Sequence, residues 1–262
     1  MTLYNRIGID YDTTRRADGE ICRTLAALLG ELDGQQILDV ACGTGNYTGA
    51  VSQFGGRWTG CDLSATMLDE ARHKSTAVGW VQADVSQLPF APASYDLAMT
   101  TLAIHHYDDL PVAFAEVGRV LKPGGRWVIF TATPEQMHHY WLSRYFPGMM
   151  AHSAQQMPGL QAIGHASGRA GLNLVSQLDY QVSPTLEDFF LYSGKHRPEM
   201  YLQASVRAGI SSFRELCDID ELTSGLEKLE KHLASGDFHR LNLSKESGGG
   251  DYLFLVLEKS RT

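Results

Sequence analysis

Short apolar runs alternate with helix-spaced segments through the first half of the chain, the rhythm of a βα-repeating, mostly parallel sheet. Leu25-Ala26-Ala27-Leu28-Leu29 reads as the buried stripe of an opening helix that stops near Gly30. A first strand is predicted over Gln36–Val40, a helix over Tyr47–Phe54 and a second strand over Arg57–Asp62. Ser64 stands at an N-cap position ahead of a helix carrying Met67, Leu68 and Ala71. Gly79–Gln82 and Tyr95–Thr101 read as the third and fourth strands, and Leu97-Ala98-Met99 is apolar on both faces, as a central strand requires. Leu110–Leu121 suits a helix with Pro111 in its first turn that ends ahead of Pro123-Gly124-Gly125, after which Trp127–Thr131 makes a fifth strand.

Beyond Thr133 the rhythm changes. Residues 134–156, rich in Met, His and aromatics, read as helical, and Ala162–Ala170 as another helix ending at Gly171. Leu172–Val182 alternates roughly as a strand, and a helical pattern resumes over Pro184–Gly236 with Phe189, Phe190, Tyr192, Tyr201, Phe213 and Leu216. A Gly248-Gly249-Gly250 turn leads into a last apolar strand, Tyr252–Leu257. Because strands flank the helical segments on both sides, residues 1–262 are expected to form one sheet domain, with 134–156 and 184–248 as helical insertions forming a substrate lid.

The chain has 262 residues, 44% of them hydrophobic and 20% charged, which excludes disordered, fibrous and repeat classes. The longest apolar stretch is far too short to span a membrane and Met1–Asp12 lacks a secretory apolar segment, so a cytoplasmic setting is expected. With 22 Lys+Arg against 30 Asp+Glu, a net charge of −8 and no basic block, an obligate nucleic-acid partner is disfavoured. Cys22, Cys42, Cys61 and Cys217 are scattered without metal-site spacing and read as reduced, partly buried thiols; no metal is expected. The oligomeric state is not readable.

Asp39-Val40-Ala41-Cys42-Gly43-Thr44-Gly45 runs from a strand end into a helix, where an open parallel sheet places its ligand crevice. Gly43 and Gly45 remove Cβ atoms that would keep a ligand from the backbone. Asp62 closes the next strand nineteen positions after Gly43, the spacing of a carboxylate that accepts both ribose hydroxyls. A dinucleotide loop wants a further glycine where Thr48 stands, so a phosphate-free adenosine ligand fits better than a pyrophosphate. Asp84 suits either an acceptor for an adenine amine, with Val85 packed on the ring, or a helix N-cap. Arg15, in Tyr11-Asp12-Thr13-Thr14-Arg15, suits a carboxylate partner or a surface salt bridge.

In order along the chain, these segments resemble the class I S-adenosylmethionine-dependent methyltransferases, in particular the small-molecule group similar to the ubiquinone/menaquinone-biosynthesis enzymes. Residues 37–45 look like the glycine-rich motif, Gly60-Cys61-Asp62-Leu63-Ser64 with Met67-Leu68 like the ribose motif, and Ala83-Asp84-Val85 with Leu88-Pro89-Phe90 like the adenine motif. Ser94-Tyr95-Asp96-Leu97, Leu102-Ala103-Ile104-His105-His106 and Arg119–Gly125 resemble the fourth strand, the segment after it and the turn before the fifth. Ala41 departs from the glycine that many members carry.

The resemblance implies a Rossmann-like α/β fold whose seven-stranded, mostly parallel sheet ends in an antiparallel strand at Tyr252–Leu257, with the cofactor over the ends of the first and fourth strands. It further implies that Asp62 holds ribose, Asp84 and Val85 the adenine, and Gly43 and Gly45 the methionyl region, over which Tyr11 and Arg15 close. Asp39, Ala41, Leu63, Met67 and Thr101 are carried over with them as cofactor-binding positions.

The function expected is methyl transfer from S-adenosylmethionine to a small-molecule acceptor. A nicotinamide-dependent oxidoreductase and a non-catalytic S-adenosylmethionine-binding module are the alternatives. If the acceptor must lose a proton, imidazole is the group that titrates near the working pH, and His106 and His139 are the first candidates among His105, His106, His138 and His139. Gln136–Phe146 is expected to carry acceptor specificity, although its aromatics equally suit core packing.

Overall fold

A computed structural model of the chain describes residues 14–242 and 249–261. The elements follow in the order α1 (Gly19–Leu29), β1 (Gln36–Val40), α2 (Asn46–Val51), β2 (Arg57–Asp62), α3 (Ala65–Lys74), β3 (Gly79–Gln82), β4 (Tyr95–Thr101), α4 (Leu110–Val120) and β5 (Leu121–Thr131). After them come α5 (Pro134–Met137), α6 (Pro147–Gln156), α7 (Leu160–Arg169), β6 (Leu172–Tyr180), α8 (Ala204–Ala208), α9 (Ile219–Ala234), α10 (Asp237–Asn242) and β7 (Tyr252–Lys259). The seven strands form one sheet in the order β3-β2-β1-β4-β5-β7-β6. β1 to β5 pair in parallel, and β7 is antiparallel to both β5 and β6.

Strand alternation divides the core between the two faces of this sheet. Ile37, Met99, Phe130 and Phe254 turn to one face, where α1 and the insertions pack, while Leu38, Ala98, Trp127 and Leu255 turn to the other, against Phe114, Val117 and Ile163 of α4 and α7. The helix starts follow the capping signals: Ser64 accepts from the Met67 amide at 3.3 Å and Asp109 from that of Val112 at 3.0 Å. Gly30, at φ 93°, ends α1.

Two expectations change. β5 starts at Leu121 rather than Trp127, since Leu121 already pairs with Tyr95 before a register shift absorbs the Pro123-Gly124-Gly125 turn. Residues 183–197 contain no helix, although the pattern from Pro184 reads as helical. That segment is laid across the sheet, with Phe190 edge-on to Phe130 and Tyr252 and Tyr192 stacked on Tyr140 at 4.0 Å. Aromatic spacing there serves flat packing on a sheet face, and Pro184 and Pro198 disfavour a helix running through. No helix among the described residues is long and apolar enough to cross a membrane.

α4 and α7 cross at Gly118, where a Cβ would lie 2.7 Å from the Ala170 carbonyl oxygen. Gly118→Ala is therefore expected to destabilise the protein by about 1–3 kcal/mol despite alanine's higher helix propensity. A urea midpoint equal to that of the wild type contradicts this packing.

Candidate functional site

The sheet order reverses between β1 and β4, and a cavity of about 430 Å³ opens there over the carboxyl ends of the parallel strands. Its size falls in the range of small-ligand pockets, roughly 300–1,000 Å³. Its floor is the turn after β1. Ala41 sits at φ 59° and Gly43 at φ 55°, so the chain curls through left-handed backbone twice in three residues. Alanine tolerates this conformation less well than glycine. A Cβ at Gly43 would meet nothing within 4 Å, and this residue lines the cavity.

Asp62, at the end of β2, accepts from the Gly43 amide at 2.8 Å and, through its other oxygen, from the Ser64 amide at 2.9 Å. Each carboxylate oxygen has a second lone pair. The group thus fixes the turn and still offers acceptor sites on the cavity lip. Burial raises its pKa in spite of these amide bonds. Asp84, beyond β3, closes a turn by accepting from the Ser86 amide at 2.8 Å, and no helix follows, so a helix N-cap does not account for it. Ala41, Leu63, Met67, Val85 and Thr101 all line the same cavity.

Arg15 also lines it. Its Nε donates to Asp188 Oδ1 at 2.5 Å, and the Tyr47 hydroxyl donates to Asp188 Oδ2 at 3.1 Å. Asp188 is only 1% exposed and lies in the segment laid across the sheet. Its 173-residue distance from Arg15 along the chain left no local signal in the sequence. Tyr47, Tyr107 and Asn46 are further lining residues that sequence reasoning missed. Tyr11 lies outside the described residues.

Three expected site residues are placed elsewhere. Asp39 is fully buried beneath the turn, accepting from Thr48 Oγ1 at 2.5 Å, while its other oxygen has no partner among the described residues. Gly45, at φ 71°, does not line the cavity: a Cβ there would overlap Trp80, so its smallness serves packing rather than ligand approach. His139 is exposed and lines neither cavity, because Met137 and Tyr140 on either side of it face the core. Tyr140, Trp141, Tyr145 and Phe146 are buried as core packing.

His106 lies after β4, and burial lowers its pKa although the Glu215 carboxylate pulls the other way. The residue is nonetheless exposed, and it lines both the large cavity and a smaller one beside it of about 130 Å³. The two cavities meet at Arg15, Thr101, Leu102 and His106. Leu102, at φ 51°, is a bulky residue in left-handed backbone, held by its amide's 2.8 Å bond to the Phe130 carbonyl. Among the described residues no group of three or more His, Cys, Asp or Glu is placed to hold a metal ion.

A methyltransferase domain family matches residues 38–129. A malonyl-[acyl-carrier protein] O-methyltransferase of Erwinia pyrifoliae is 31% identical over 190 residues, 71% of each chain. The chain belongs to the S-adenosylmethionine-dependent methyltransferases. A ubiquinone/menaquinone biosynthesis C-methyltransferase of Paracoccus denitrificans is 37% identical over 127 residues, 45% of this chain and 51% of that protein. The first curated relatives are matched over about half their length, 43–58%. A solved chain assigned as a methyltransferase of an antibiotic biosynthesis pathway in Anabaena variabilis superposes with a TM-score of 0.81 at 28% identity, over 93% of this chain and 98% of that one.

The cavity fits the family's cofactor. Open space beside Gly43 admits a ligand against the backbone, and Asp62 offers acceptors at the neighbouring strand end. Asp62, Asp84, Asp108, Asp109 and Asp188 outnumber Arg15 and Arg16 around it, which suits a ligand carrying sulfonium and ammonium charges.

Burial pushes the Asp39 carboxyl up to about 7, with the Thr48 bond opposing. A carboxyl whose folded pKa lies above its unfolded value stabilises the fold fully below the unfolded value, and that contribution fades as pH climbs to about 7. Asp39→Asn, which keeps an acceptor for Thr48, is thus expected to gain stability relative to the wild type between about pH 4 and 7. Urea midpoints that differ by a constant amount across this range contradict the assignment.

Proposed function

We propose that the protein methylates a small-molecule acceptor, using S-adenosylmethionine bound in the large cavity with its sugar at Asp62, its base between Asp84 and Val85 and its methionyl end toward Arg15. The observation that carries this reading is the convergence of Gly43, Asp62 and Asp84 from three successive strand ends on one cavity. When bound, S-adenosylmethionine would supply an electrophilic methyl for in-line transfer, the acceptor atom bonding to the methyl carbon as the carbon–sulfur electron pair is left on sulfur.

The residues of the chain orient, exclude water and handle the proton. Thr101 and Leu102 form the lip on which the acceptor is held against the methyl, and the 183–193 segment roofs it, pinned by Asp188. His106, its pKa lowered by desolvation, offers a ring nitrogen lone pair with which to take an acceptor proton. A cytoplasmic setting and a small acceptor rather than nucleic acid belong to the same reading, supported by the −8 charge and four free cysteines. The lid role of residues 134–156 and 184–248 also belongs to it, supported by Met137, Ser153 and Leu191 lining the smaller cavity. The relatives' names differ in the atom methylated, oxygen in one and carbon in the other.

Incubation with a metabolite extract and S-adenosylmethionine is expected to release S-adenosylhomocysteine. His106→Gln is expected to lower that rate roughly 100- to 10,000-fold while leaving S-adenosylhomocysteine affinity by calorimetry unchanged. Binding without release on any fraction supports the non-catalytic module instead, and saturable NADH fluorescence supports the oxidoreductase. A wild-type rate for His106→Gln removes it as base.

A further inference from the structure

The two cavities differ in the charge of their walls. Around the large one Asp62, Asp84, Asp108, Asp109 and Asp188 stand against Arg15 and Arg16. Around the smaller one, of about 130 Å³, Arg15 and Arg214 are joined by His105 and His106, and no Asp or Glu among the described residues lines it. In a chain with 30 Asp+Glu against 22 Lys+Arg, a cavity walled by cations and by no acid departs from the composition around it. Walls of one sign favour a ligand of the other.

The two guanidiniums are not equivalent. Arg15 directs both Nε and Nη2 at the buried Asp188, so that pair stays closed. Arg214 is more open: its side chain is 31% exposed, with Nη2 donating to Glu215 at 2.5 Å and Nη1 to the Ala208 carbonyl at 3.2 Å. Its Nε and two further N–H groups have no partner among the described residues. The pair with Glu215 joins chain neighbours that are both open to water, and such pairs contribute only about 0–1 kcal/mol. The backbone beneath them is fixed. Ser212–Leu216 form a single π-helical turn, a rare conformation often found at functional sites, and Phe213 anchors it edge-on to Phe146 at 5.0 Å. The Glu215 carboxylate acts on the His106 ring across the cavity, so the Arg214–Glu215 pair stands near the junction where the methyl is expected.

We propose that the smaller cavity takes the acceptor and that Arg214 selects for a carboxylate on it, the rest of the molecule reaching the Thr101–His106 junction. This rests on the reading of the large cavity as the S-adenosylmethionine site. A guanidinium meets a carboxylate through paired N–H donors, and one available cation answers one negative charge, whereas a phosphate brings close to two. Glu215 is the competitor: it holds Arg214 until the carboxylate of the acceptor displaces it.

The test is calorimetry on the full chain saturated with S-adenosylhomocysteine, using benzoate, benzamide and phenyl phosphate, single-ring probes suited to a cavity near the roughly 150 Å³ that encloses benzene. Benzoate is expected to bind saturably, with phenyl phosphate weaker and the uncharged benzamide weaker by roughly tenfold or more. Arg214→Gln is expected to weaken benzoate by roughly tenfold and Arg214→Lys by less, both with S-adenosylhomocysteine affinity unchanged, because Arg214 does not line the large cavity. Glu215→Gln, which removes the competitor, is expected to tighten benzoate roughly two- to fivefold, a gain that a purely structural ion pair would not give. Benzamide or phenyl phosphate binding as tightly as benzoate, benzoate affinity indifferent to Arg214→Gln, or benzoate weakened by Glu215→Gln overturns the proposal. If S-adenosylhomocysteine binds and benzoate does not, the carboxylate assignment alone fails; if S-adenosylhomocysteine does not bind, the reading beneath it fails.

Discussion

The carboxylate of Asp62 ties two strand ends together, and the site is built on that tie. By accepting from the Gly43 amide it holds the turn after β1 in its left-handed curl, and by accepting from the Ser64 amide it sets the start of α3. Two backbone donors that strand pairing leaves unused are thereby satisfied. The turn supplies the flat floor of the cavity, and the same side chain supplies its acidic lip. Behind the turn, Trp80 occupies the space that side chains at Gly45 and Gly60 would need, so the loop is pressed from the core side while its ligand side stays open.

A second, long-range tie closes the other flank. Asp188 is buried within the segment that crosses the sheet and accepts from both Arg15 and Tyr47. Burial raises its pKa, and the two partners oppose that rise. Taking such a pair out of water costs more than an exposed ion pair returns, so it serves to fix geometry rather than to add stability. The geometry it fixes joins Arg15 ahead of α1, the helix after the glycine turn and the insertion around the junction of the two cavities. The Phe189 amide donating to the Thr14 carbonyl at 3.0 Å, and the Glu187 amide to Asp18 at 3.1 Å, extend the same seam.

What could be read from the chain was what depends on local order. The bounds of β1, β2, β3 and β4, the caps at Ser64 and Gly30 and the last strand all follow from period-two apolar runs and turn residues. So did Asp62, Asp84 and Gly43, whose spacing is fixed by the length of a βα unit. Illegible were the contacts made across the fold. Nothing near Asp188 announces that it meets Arg15, and Phe189, Phe190 and Tyr192 look the same whether they line a helix or lie flat on a sheet. The paired histidines show the limit in one motif type: His106 reaches the cavities from the turn after β4, whereas His139 projects outward because its flanking residues claim the core. Gly45 belongs to the ligand motif by pattern and to Trp80 by packing.

The most direct measurement is a crystal structure of the full chain with S-adenosylhomocysteine. The account predicts both ribose hydroxyls within hydrogen-bond distance of the Asp62 carboxylate, the adenine beside Asp84 and Val85, and the sulfur at the Thr101–His106 junction with the smaller cavity open next to it. A nucleoside bound with its sugar away from Asp62, or with its sulfur turned from that junction, contradicts it.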